Sequence, residues 1–160
     1  MKTILAPVDF SSATDAVIAE ATSLARAVDG RVVLLTVIQP PAAVADYAPL
    51  LQDIAEITAA GEKAAATKLA RLQEQLQAEG VTAECVQVVG APVHHIAAEA
   101  ERVDADYIVM GSHGHTALYE LLVGSTTHGI LKRATCPVVI VPASKASAAA
   151  PAGRSQGASV

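Results

Sequence analysis

Short aliphatic runs alternate with longer stretches of helical spacing along most of this chain, and that alternation restricts the fold more than any other feature. The runs are Thr3 to Val8, Arg31 to Ile38, Val81 to Val89, Tyr107 to Met110 and Val138 to Val141. Most are rich in Val, Ile and Leu and are apolar nearly throughout, as expected of strands covered on both faces. Between them, apolar residues recur at helical intervals. Val17, Ile18, Ala21, Leu24 and Ala25 form one inner face, and Ile96, Ala97 and Ala100 form another. A longer stripe, Ile54, Ile57, Leu69, Leu72 and Leu76, lies on a stretch from about Pro49 to Glu79, and a fourth helix is expected from Ser125 to Arg133. The order β-α-β-α-β-α-β-α-β predicts an α/β fold: a single domain built on a doubly wound, five-stranded parallel sheet. Right-handed crossovers then place helices on both faces.

Punctuation supports these limits. Ser11 or Ser12 is suited to cap the first helix, with Asp15 in capping-box position after Ser12. Gly30 and Gly80 read as helix stops, and Pro92 suits a first helical turn. Pro40 and Pro41 end the second strand, while Pro137 and Pro142 bracket the fifth.

With 160 residues the chain suits one domain. Its 11 lysines and arginines against 16 aspartates and glutamates give a charge of −5, which argues against a nucleic-acid backbone as partner. No run reaches about 18 uninterrupted apolar residues, so no membrane partner is expected. Pro7 and Asp9 cut the first run too short for a signal peptide, making a cytoplasmic location the expectation. Cys85 and Cys136 lack metal-type spacing and read as small buried apolar groups. From Ala143 onward the chain loses large apolar residues except Val160, so residues 143–160 are expected to form a flexible Ala/Ser-rich tail behind a 1–142 domain.

Chemistry concentrates in Gly111 to Ser125, which reads G-x2-G-x9-G-S immediately after the fourth run. Glycines between a strand and a helix leave room for backbone N–H groups to meet phosphate. Gly124 to Gly129 has P-loop glycine spacing, but Ile130 and Leu131 replace the lysine and hydroxyl residue that motif requires. A dinucleotide fingerprint is missing after the first strand, where Pro7-Val-Asp-Phe-Ser stands. The segment does not match a G-x-S-x-G nucleophile elbow either. His113 and His115 have no carboxylate or cysteine at convincing ligand spacing, so no metal site is assigned.

The glycine pattern, with Ile4-Leu-Ala-Pro-Val-Asp9, Gly90-x-Pro92, Ala105-Asp106-x-Ile-Val-Met-Gly111 and Arg133-Ala-Thr-Cys-Pro-Val-Val-Ile-Val-Pro142, resembles the universal stress protein family. The resemblance implies strand order 3-2-1-4-5, Rossmann-like, with a ligand where strands 1 and 4 flank the switch point. It further implies binding of ATP, ADP or AMP, with Mg2+ or Mn2+ as an accompanying ion. The implied contacts are Pro7, Val8, Asp9, Val37, Met110, Gly111, His113, Gly114, Gly124, Ser125, Thr126 and Thr127. Asp9 would meet the adenosine part and the Val37 main chain the adenine edge. Met110, Gly111 and Gly114 would line the ribose and α-phosphate, and Gly124 to Thr127 would meet the outer phosphates. Thr126 departs from the aliphatic residue common at that position. Leu118, Leu121, Leu122 and Val123 make the intervening loop a candidate lid.

The resemblance also implies a homodimer formed through Val138 to Val141. Two other readings stay open: a slow ATPase or an enzyme autophosphorylating at Ser125 or Thr127, and a nucleotide-free interaction module. No arginine finger or catalytic lysine is evident, so hydrolysis is expected to be slow.

Overall fold

In the computed structural model all five aliphatic runs become strands of one parallel sheet. The structure describes residues 1–39, 50–112 and 123–142, with side chains from residue 55 onward in the second of these segments. Its elements are β1 (Lys2–Pro7), α1 (Thr14–Ala27), β2 (Gly30–Ile38), α2 (Leu50–Ala78), β3 (Ala83–Val89), α3 (Pro92–Arg102), β4 (Tyr107–Gly111), α4 (Ser125–Leu131) and β5 (Val138–Val141). The strand order is β3-β2-β1-β4-β5.

Each strand divides its side chains between two cores, because successive residues point to opposite faces. Ile4, Ala6 and Val8 join Val32, Leu34 and Val109 beneath α1 and α2. Leu5, Val33, Leu35, Ile108 and Met110 pack beneath α3 and α4 with Ile96, Ala100 and Ile130. Ile4, Leu5 and Ala6 are all 0% exposed, so β1 is the sealed centre of the sheet. This two-sided burial explains why the central strands β1, β2 and β4 are apolar nearly throughout, whereas β3 at the sheet edge carries Glu84 and Gln87.

The start of β4 is fixed to β1 by one side chain. Asp106 accepts from the Thr3 N–H at 2.8 Å and from Lys2 Nζ at 2.6 Å, while its own N–H donates to Thr3 O at 2.8 Å. These bonds hold β4 beside β1 and set where its C-terminal end emerges.

Three local expectations need correction. The first helix begins at Thr14, with Ala13 at the N-cap position and no side-chain cap. Ser11 does not cap it: an Asp9–Phe10 turn comes first, with Phe10 at φ 59°, and Ser11 Oγ accepts from the Ala13 N–H at 3.4 Å within that turn. The stop after α1 is Asp29, at φ 51°, rather than Gly30. Gly30 instead allows close approach, since an added Cβ would lie 2.8 Å from both Lys2 O and Ile4 Cδ1. Finally, the α2 stripe is only partly inward. Leu69 and Leu76 are buried, but Ile57 is 60% exposed. A 29-residue helix is roughly 43 Å long and outruns the strands it covers. The side chain of Ile54, the expected tail and residues 40–49 lie outside what is described.

Candidate functional site

The chain leaves β1 for β2 on one side, whereas β4 and β5 lie on the other, so the connections diverge between β1 and β4. Open α/β sheets collect ligands at the C-terminal strand ends beside such a divergence. A cleft of about 670 Å³, open solvent included, lies there. Pro7, Val8, Leu35, Val37, Met110 and Gly111 contribute strand ends to it. Thr14 and Val17 of α1, with Ala13 just before it, line one side, and Pro92 and Ile96 of α3 with Thr126 and Thr127 of α4 line the other. Its walls are mostly apolar with a few polar groups, the lining usual for a small-molecule site.

Backbone geometry supplies part of that polarity. Val8 N–H donates to Leu35 O at 2.8 Å, so the polar groups of Leu35 face β1. Gly90 N–H donates to Ile38 O at 2.8 Å, so Ile38 faces β3. Strand alternation therefore aims the Val37 N–H and C=O toward the β1 side, past the last paired residues Pro7 and Leu35. They form an adjacent donor and acceptor at the cleft.

Asp9 is exposed at the end of β1, and its Oδ1 accepts from the Ser11 N–H at 3.0 Å. Thr36 Oγ1 donates to Val8 O at 2.9 Å, tying the loop after β1 to β2. Thr127 is 2% exposed and its hydroxyl donates to Gly111 O at 2.9 Å. That proton is therefore committed to bracing β4 against α4. Gly124 N–H donates to Ser112 O at 2.8 Å, which brings the two ends of the glycine segment together. Gly124 has φ −58° and ψ 157°, a conformation open to any residue. Its role is thus not a left-handed turn.

Of the residues expected from sequence, Pro7, Val8, Asp9, Val37, Met110, Gly111, Thr126 and Thr127 share the cleft lining. Gly124 and Ser125 stand at the start of α4, outside that lining. His113 and Gly114 lie outside the described residues, as does the candidate lid except Val123, which is 47% exposed. Sequence reasoning missed Thr14 and Gln39, both in the lining. Their signal was positional: Thr14 opens the helix after β1, and Gln39 is the last polar residue before Pro40.

Among the described residues no group of three or more His, Cys, Asp or Glu is placed to hold a metal ion. Cys85 and Cys136 are half-buried, and burial raises both thiol pKa values, which lowers their reactivity. Among the described residues, no helix is long and apolar enough to cross a membrane.

A doubly wound parallel sheet with a mixed apolar and polar cleft at its switch point defines a ligand-binding α/β protein. Comparison with known proteins narrows the class. The universal stress protein family profile matches residues 1–142, and the chain belongs to that family. Universal stress protein MJ0577 of Methanocaldococcus jannaschii is 38% identical over 77 residues, 48% of this chain and 48% of that protein. The chain thus spans about half the length of this curated relative in the alignment. The solved structure of MJ0577 covers more: 88% of this chain and 95% of its own, with TM-score 0.76 and 30% identity. UspA from Lactobacillus plantarum superposes with TM-score 0.79 at 26% identity, over 88% of this chain and 97% of that one. A universal stress protein solved in complex with cAMP shares the fold, with TM-score 0.67 and 24% identity over 89% of this chain and 98% of its own.

Proposed function

We propose that this chain is an adenine-nucleotide-binding regulatory protein of the stress response, cytoplasmic and homodimeric, with residues 1–142 as its working domain. The observation that carries the reading is the cleft at the β1–β4 switch point, where Asp9, Val37, Met110 and Gly111 meet. The residues fit such a ligand. Val37 offers a backbone N–H and C=O side by side, a match for the N1 acceptor and N6 donor of adenine. Pro92, Ile96, Val17 and Met110 provide apolar surface for a flat ring. Asp9 stands where it would accept from ribose hydroxyls. Gly111, Gly114 and the first turn of α4, Gly124 to Thr127, would surround the phosphates with backbone N–H groups, and His113 would stand beside them.

The Thr127 hydroxyl already donates its proton to Gly111 O, so Thr127 would serve the phosphates through its backbone N–H. ATP, ADP and AMP share the adenosine contacts and differ only in how far they reach toward α4. Mg2+ or Mn2+ would arrive with a triphosphate, held largely by phosphate oxygens and water.

Binding without rapid turnover is the expectation. Among the described residues, the cleft lining contains no lysine or arginine to stabilise charge in a phosphoryl-transfer transition state. The proposed dimer would form through the edge of β5, whose four residues are each half-buried.

The test is native mass spectrometry of protein purified without added nucleotide, followed by titration with ATP, ADP and AMP. With three Tyr and no Trp the protein absorbs weakly at 280 nm, so bound adenine would dominate near 260 nm. A co-purified adenine nucleotide, or saturable binding after its removal, is the expected result. No bound species and no binding at millimolar ATP would defeat the proposal and leave the interaction-module reading. Steady phosphate release that disappears with Asp9→Ala would turn the reading toward an enzyme.

A further inference from the structure

Thr14 is 8% exposed, and among the described residues its buried Oγ1 has no hydrogen-bond partner. Other helical threonines show what such a hydroxyl ordinarily does. Thr22, also in α1, donates to Ile18 O at 2.8 Å, and Thr67 in α2 donates to Lys63 O at 3.0 Å. Both use the carbonyl four residues earlier, the common outlet for a helical threonine. For Thr14 that residue is Phe10, which precedes the helix and has φ 59°. The carbonyl is therefore not in the helical ladder, and the usual partner is lost. A buried hydroxyl in this state destabilises the ligand-free protein.

Thr14 also lines the cleft with Asp9, Val37 and Met110. Asp9, Val37 and Met110 each supply a contact in the proposed nucleotide site, whereas Thr14 has no assigned role. We propose that Thr14 is a further ligand-binding residue whose hydroxyl finds its partner on the bound nucleotide. Oγ1 is buried, so contact requires rotation about χ1 into another staggered well. Staggered wells are the ordinary positions of a side-chain χ1, so the rotated residue need not be eclipsed. Ligand-free protein thus keeps the hydroxyl buried and unpaired, and nucleotide draws it into the cleft.

This inference rests on the nucleotide reading of the cleft, and the test separates the two. Wild type, Thr14→Val and Thr14→Ser are titrated with ATP by calorimetry, and their ligand-free melting temperatures are compared. Valine keeps the shape and removes the hydroxyl, so affinity should fall about 3- to 10-fold. The ligand-free melting temperature should stay level or rise, because an unpaired polar atom has been removed. Serine should bind within about twofold of wild type. This combination distinguishes a ligand contact from a structural one, since loss of a structural hydrogen bond would lower melting temperature. Unchanged affinity in Thr14→Val, equal loss in Thr14→Ser, or a clear fall in the ligand-free melting temperature of Thr14→Val would overturn the role. Failure of wild type itself to bind ATP would instead remove the nucleotide reading, and this inference with it.

Discussion

Gly90 is the position where a single methyl group should do most harm near the cleft. It lies between β3 and α3 at φ 145°, a region that L side chains rarely adopt. Its N–H donates to Ile38 O at 2.8 Å, which anchors the backbone in that conformation. A Cβ added there would overlap His95 Nε2 and stand 2.8 Å from His95 Cδ2. Gly90→Ala therefore combines backbone strain of about 1–3 kcal/mol with displacement of the His95 ring, which costs about 0.5–1.5 kcal/mol more. A total of roughly 2–4 kcal/mol is a large part of the stability of a domain this size.

Gly61 supplies the control. It lies on the exposed side of α2, with nothing within 4 Å of an added Cβ. Gly61→Ala should therefore stabilise the helix by about 0.5–1 kcal/mol. Urea denaturation followed by circular dichroism measures both. The two midpoints should move in opposite directions from wild type with similar m values. Because α3 begins at Pro92 and contributes Ile96 to the cleft, Gly90→Ala should also weaken ligand binding. Equal stability of Gly90→Ala and wild type would refute the strain argument.

Further expectations follow from the same geometry. Thr127→Val removes the donor to Gly111 O and should cost about 1–2 kcal/mol, read as a lower urea midpoint; no change would mean that this bond does not brace β4 against α4. The Asp106 carboxyl is held below its ordinary pKa of 3.8, first by the Lys2 hydrogen bond and then by the Thr3 N–H. A lowered carboxyl pKa means stability that is complete above the unfolded value and lost as pH falls through the folded one. Asp106→Asn should thus flatten the stability profile below about pH 4, and an unchanged acid limb would contradict the assignment. Lys2 is raised above 10.5, mainly by its hydrogen bond to Asp106, so its contribution should disappear only as pH rises beyond that value. If β5 pairs across a twofold axis, light scattering at micromolar concentration should give twice the chain mass; monomer alone would exclude the dimer.

Sequence patterns located the elements well where burial is two-sided. Val138–Val141 and the start of α3 at Pro92 were legible because apolar runs and prolines mark both clearly. The start of α1 was less legible: Ser11 and Ser12 have the chemistry of caps, but the Asp9–Phe10 turn delays the helix to Thr14. Ile57 misled for a different reason, because helical periodicity does not reveal where a long helix passes beyond its sheet. In the cleft, Asp9, Met110 and Gly111 could be read from their places at strand ends. Thr14 could not, since its distinguishing property is a missing partner. That property belongs to three-dimensional surroundings rather than to residue type.

In the proposed function the β1–β4 cleft holds an adenine nucleotide. Calorimetric titration with ATP of wild type and Gly111→Val tests it most directly, because a valine side chain at the end of β4 would compete for space in the cleft. Circular dichroism would verify that both proteins are folded. Saturable binding to wild type with one site per chain, and severe loss in the variant, are the expected results. No heat of binding by wild type at millimolar ATP, or equal affinity in Gly111→Val, would contradict it.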